Sequence, residues 1–86
     1  TEAVIEAGKR AGLSQRYAQL LAKQACLGAA KMMIESNESP EMLRQKVTSP
    51  NGTTAAALAK MTEGRVFDNI VAGVLAAFER SRELGS

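Results

Sequence analysis

Ile70-Val71-Ala72-Gly73-Val74-Leu75-Ala76-Ala77-Phe78 decides the fold, because this unbroken apolar run leaves a helix without a polar face for more than two turns. A helix apolar on every side must be covered on every side. A bilayer is not the expected cover, since a spanning helix needs roughly 20 such residues. A second segment says the same. Arg16, Gln19 and Lys23 form a polar face early in the helical stretch that starts near Gln15, but the same angular direction later holds Leu27, Ala30 and Ile34. Eighty-six residues can hardly enclose two such helices. Either one of them is the central helix of a compact monomer, or the surface meets a second copy in an intertwined homodimer. The pattern favours the homodimer, with Ala72, Gly73 and Ala76 permitting close helix approach.

Around this run the chain is punctuated by breakers at Gly12 to Ser14, Asn37 to Pro40, Thr48 to Gly52 and Gly64, each between stretches rich in Ala, Leu, Met, Lys and Glu. The spacing predicts an all-α bundle of about five helices: one ending near Ala11, one from Gln15 to Ser36 with Ser14 as N-cap, and one from Pro40 to Lys46. A fourth runs from Thr53 to Glu63 and stops at Gly64, and a fifth covers Val66 to Leu84. Ser39 followed by Pro40 is a cap and a first-turn proline. Residues 1–86 read as one domain. The start at Thr1, directly in a helical pattern, suggests a piece of a longer polypeptide.

Composition narrows the function classes. Net charge is +2, with acidic and basic residues interleaved, and there is no Trp, one Tyr and two Phe to stack on bases, so nucleic acid is not an expected partner. With no His there is no ordinary zinc site and no histidine base, and no metal is expected. The single Cys26 reads as a small core residue in a reducing compartment. The absence of a signal peptide or spanning segment points to a cytoplasmic protein with no membrane partner. Met32, Met33, Met42 and Met61 read as core filling, Gly8 and Gly12 as helix-terminus glycines, and Glu35, Glu38 and Glu41 as solvated charges rather than a cation site. Neither G-x-G-x-x-G nor G-x-x-x-x-G-K-[ST] occurs, so nothing here cradles a dinucleotide or a nucleoside triphosphate.

The one segment suited to chemistry is Val47-Thr48-Ser49-Pro50-Asn51-Gly52-Thr53-Thr54. Pro50, Asn51 and Gly52 form turns, and Gly52 or Thr53 then starts a helix whose free N–H groups suit a carboxylate or phosphate. A plain helix cap after a tight turn would use the same residues.

Leu27-Gly28-Ala29-Ala30-Lys31-Met32, the Val47–Thr54 loop, and Glu79-Arg80-Ser81-Arg82-Glu83-Leu84-Gly85 stand in an order and spacing that resembles the C-terminal domain of pyrroline-5-carboxylate reductase. The likeness covers nearly the whole chain, and the loop is its most specific part, being similar to a Thr-Ser-Pro-Gly-Gly-x-Thr signature. It implies a dimerisation domain of an enzyme that reduces 1-pyrroline-5-carboxylate to L-proline in proline biosynthesis. NADPH or NADH would be held by an N-terminal Rossmann domain absent from these residues, so the fragment alone would be inactive and would bind no cofactor. Assembly would be a homodimer or a higher oligomer.

The resemblance also assigns the loop. Backbone amides around Asn51, Gly52 and Thr53, with the Ser49 hydroxyl, would bind the substrate carboxylate, and the Thr54 hydroxyl would bond the ring nitrogen as the catalytic contact. Asn51 departs from the pattern by replacing the first of two glycines. Asn tolerates a left-handed conformation, so the turn is expected to survive while the side chain narrows the approach. The rival from another class is a stand-alone helical interaction module with a purely structural loop.

Overall fold

The computed structural model describes Thr1–Gly85; Ser86, the last residue of the expected domain, lies outside the described residues. Five helices follow one another: α1 Glu2–Arg10, α2 Gln15–Glu35, α3 Pro40–Lys46, α4 Thr53–Glu63 and α5 Val66–Gly85. No strand occurs among the described residues. The all-α expectation and the helix boundaries agree with the structure to within a residue. Ser14 caps α2 by accepting from the Tyr17 N–H at 3.3 Å, and Ser39 serves α3 through the Met42 N–H at 3.1 Å. Both caps satisfy donors that a helix start otherwise leaves open.

The chain forms two compact units, Thr1–Leu43 and the part from Arg44 onward. In the first, α1 packs on α2. A Cβ added to Gly8 would sit 3.1 Å from the Ala18 Cβ, so Gly8 lets the two helices approach closely. Gly8 lies in the last turn of α1, as expected, and also serves this crossing. Gly12 does end the helix, at φ 108°. The Gly12 N–H donates to Lys9 O at 3.1 Å and the Leu13 N–H to Gly8 O at 3.0 Å, a Schellman closure. The sequence signal for Gly12 was local, whereas the helix crossing over Gly8 is set by tertiary packing.

In the second unit α4 packs on α5. The turn between them is held by an unexpected residue: Gly64 has φ −83°, and the left-handed position falls to Arg65 at φ 57°. Its guanidinium reaches Asp68 at 3.2 Å, and the Asn69 N–H donates to Arg65 O at 3.0 Å to open α5. Along α5, Arg80–Glu83 at 2.9 Å and Arg82–Glu79 at 3.5 Å are exposed pairs that contribute little stability.

Burial is sparse. Among the described residues only Ala18, Ala22 and Leu43 are buried apolar residues, and α5 has no buried residue. The chain exposes 7439 Å² at 9.1 kDa. Even two separate compact bodies of half that mass would together expose only about 5,900 Å² by size scaling. Ile70 is 62% exposed, Val74 65% and Phe78 54%. The account of α5 as the central helix of a compact monomer is therefore overturned for this chain. Cys26 and the four methionines, expected in the core, are all exposed. The reason is common to them, since each lies on a helix face that its own unit leaves exposed. Among the described residues no group of three metal-binding side chains gathers, so Glu35, Glu38 and Glu41 do not form a cluster.

Candidate functional site

Everything in the 47–54 connection belongs to the second unit. It begins where α3 unwinds. The Val47 and Thr48 N–H groups donate to Arg44 O and Gln45 O at 3.3 and 3.2 Å, tightening the last turn, and the Thr48 hydroxyl donates to Arg44 O at 2.6 Å. Thr48 thus ties the start of the connection to the end of α3.

The turn follows directly. The Gly52 N–H donates to Ser49 O at 3.0 Å across Pro50 and Asn51, and Asn51 has φ 61°. Proline at the second position and a left-handed residue at the third are the requirements of a type II turn. Asn51 meets its requirement without glycine, as its short polar side chain allows. Gly52 is the N-cap of α4, at φ −83° and ψ 178°, and it has no side chain with which to cap. Thr53, Thr54 and Ala55 form the first turn, so their N–H groups have no intrahelical acceptor. The Gly52 O accepts from the Ala56 N–H at 3.1 Å, the first helical bond.

Of the residues named from sequence, Ser49, Asn51 and Thr53 are exposed, and Gly52 and Thr54 are half-buried. The structure gathers them in one turn and the helix start it feeds. It also redistributes their parts. The Gly52 N–H is used inside the turn, leaving Thr53, Thr54 and Ala55 as the open donors of the helix start. Ala55 escaped the sequence reading; the signal that finds it is the position of the cap, since a cap at Gly52 makes Ala55 the third residue of the first turn. Among the described residues the hydroxyls of Ser49, Thr53 and Thr54 make no hydrogen bond, and of the three Ser49 and Thr53 are exposed. Three N–H donors, a positive helix end and free hydroxyls can receive a carboxylate; the α4 sequence adds no acidic residue to its first turn to oppose one.

Behind this start, α4 and α5 leave an apolar groove of about 530 Å³, lined by Leu58, Met61, Val66, Phe67 and Ile70 together with Arg44 and Thr62. No helix among the described residues is long and apolar enough to cross a membrane.

These features define a class: a small all-α domain with far more apolar surface than it covers, bearing an anion-receptive turn at one helix start. Comparison with known proteins gives that class its family. The sequence pattern of the family described as pyrroline-5-carboxylate reductase dimerisation matches residues 1–84. The chain belongs to the pyrroline-5-carboxylate reductase dimerisation family. It is 45% identical over 84 residues to pyrroline-5-carboxylate reductase of Pseudomonas aeruginosa, covering 96% of this chain and 30% of that protein. To pyrroline-5-carboxylate reductase 1 of Bacillus subtilis it is 40% identical over 83 residues, covering 96% and 28%. Among solved structures, the Plasmodium falciparum pyrroline carboxylate reductase with NADP bound matches with a TM-score of 0.93 and 30% identity, over 99% of this chain and 34% of that one. The Coxiella burnetii pyrroline-5-carboxylate reductase matches with a TM-score of 0.89 and 41% identity, over 96% and 31%. The chain therefore spans about a third or less of the length of the relatives it matches.

Proposed function

We infer that this chain is the C-terminal dimerisation and substrate-loop domain of a cytoplasmic pyrroline-5-carboxylate reductase, a single unit of the enzyme that makes L-proline from 1-pyrroline-5-carboxylate. The observation that carries the reading is the Ser49–Thr54 turn, part exposed and part half-buried, feeding the uncapped start of α4, in a chain that the family pattern matches over 1–84. The unburied α5 supports the dimer: residues apolar all round, with no residue covered by their own chain, are completed by a second copy, as a homodimer or within a higher oligomer. A stand-alone interaction module with an idle loop would account for the apolar surface but not for the hydroxyl-rich helix start.

The chemistry asked of this chain is binding and orientation. The substrate carboxylate accepts from the first-turn N–H groups of α4 and from the Ser49 hydroxyl, and the Thr54 hydroxyl bonds the ring nitrogen. In the reaction a C–H bond forms at the imine carbon, the C=N π pair passes to nitrogen, and nitrogen ends bearing a proton. Holding the imine by both ends fixes the carbon that receives hydride. The hydride donor, NADPH or NADH, does not fit the residues described: they offer no strand and no glycine-rich phosphate loop. No step is assigned to it in this chain, and the rest of the reductase supplies it.

Thr54→Ala in the reductase carrying this chain tests the assignment. Loss of one hydrogen bond to a charged or charge-developing group lowers kcat/KM by about 10- to 100-fold. Unchanged turnover and affinity would remove Thr54 from the site.

A further inference from the structure

Gly52 has an ordinary extended backbone, φ −83° and ψ 178°, which any residue adopts. Its lack of a side chain is therefore not explained by conformation, and the left-handed position of the turn belongs to its neighbour Asn51. Space explains it. A Cβ built on Gly52 would collide with the Ser49 Oγ and would stand 3.2 Å from the Ser49 carbonyl oxygen. The Ser49 hydroxyl thus occupies the place of the missing side chain, over the cap of α4. It makes no hydrogen bond among the described residues, so no protein partner holds it there; the bare Gly52 Cα leaves it room. The Gly52 N–H, meanwhile, is engaged with Ser49 O at 3.0 Å.

We propose that Gly52 is a positioning residue that admits the Ser49 hydroxyl to the start of α4, and that it acts on the substrate carboxylate through that hydroxyl. The proposal rests on the reading of this loop as the carboxylate site. A methyl group at Gly52 does not oppose the backbone dihedrals; it forces the Ser49 side chain out of the place it holds over the Gly52 Cα and into another rotamer. The hydroxyl yields by rotation about one bond, and the Ser49 carbonyl, 3.2 Å from the added carbon, yields by a few tenths of an ångström. The consequence falls on binding of the anion rather than on the chemistry at the imine.

The test is a double-mutant cycle in the reductase carrying this chain, with KM for 1-pyrroline-5-carboxylate and kcat measured separately. Ser49→Ala and Gly52→Ala each raise KM about tenfold, the loss of one hydrogen bond to a charged group, with kcat changed less than about twofold. In the Ser49→Ala background, Gly52→Ala adds less than about twofold, because the hydroxyl it would displace is gone. If Ser49→Ala leaves KM unchanged, the carboxylate-site reading itself falls and takes the proposal with it. If Ser49→Ala raises KM but Gly52→Ala does not, or if Gly52→Ala costs as much with Ser49 absent as present, the positioning role alone is overturned. Thermal melting accompanies each variant. Should Gly52→Ala fail to fold, recovery of folding in the double variant supports the crowding of the Ser49 hydroxyl, and failure of both variants overturns it.

Discussion

The two halves of the chain differ in what they keep for themselves. All the buried apolar residues, Ala18, Ala22 and Leu43, lie in the first unit, Thr1–Leu43. Among the described residues the second unit fully buries none of its large side chains and leaves Leu58 half-buried, although it contains the most apolar run in the sequence and the 47–54 turn. In the first half, sequence and local packing account for one another: Gly8 lets α1 lie on Ala18, and Gly12 and Leu13 close the helix. In the second half local rules account for the backbone and leave the side chains without a core. The difference teaches that the half holding the 47–54 turn keeps almost none of its apolar surface for a core of its own.

The largest effect expected from this contrast is that of a charge on α5. Val74→Asp places a carboxylate where the account requires complete cover, and an unpaired buried charge costs several kcal/mol. Light scattering on the chain should then give the mass of one copy; an unchanged assembly would mean that this face of α5 is not what associates. The matching blow to the first half is Gly8→Leu, which drives a side chain into Ala18 and lowers stability by about 1–3 kcal/mol through overpacking. Thermal melting measures it, with assembly retained. Arg65→Gly acts in the opposite direction. It relieves a non-glycine residue at φ 57° and raises stability by about 1 kcal/mol, less the small value of the exposed pair to Asp68. A lowered melting midpoint would assign Arg65 a packing role that its exposure does not suggest. Smallest is Thr48→Ala, which removes the 2.6 Å bond to Arg44 O and costs about 0.5 kcal/mol at a partly wet helix end, read by denaturant titration.

Helix positions and caps were legible because their causes are local: Ser14 and Ser39 precede their helices, Pro40 opens one, and Asn51 supplies the left-handed turn residue. The turn could be read as a candidate site for the same reason. What escaped depended on other chain segments or on competition between neighbours. Gly8 gives no local sign of the helix that crosses it. Gly64 ends α4 as the sequence indicates, yet Arg65, not the glycine, takes the left-handed position, with Asp68 and Asn69 placed to hold it. Gly52 was read as a donor from its place in the loop, while the geometry spends its N–H on Ser49 and gives its empty side to the hydroxyl. Cys26 and the methionines were read as core by composition, which cannot say whose core they join.

The central claim is that the second half of this chain is completed only by another copy. Sedimentation equilibrium of the 86-residue chain, followed over a dilution series with helix content recorded alongside, addresses it directly. A mass of at least twice the 9.1 kDa of one chain is expected, with helix content and melting temperature falling as dilution separates the copies. A 9.1 kDa species at every concentration, melting cooperatively at one fixed temperature, would contradict it.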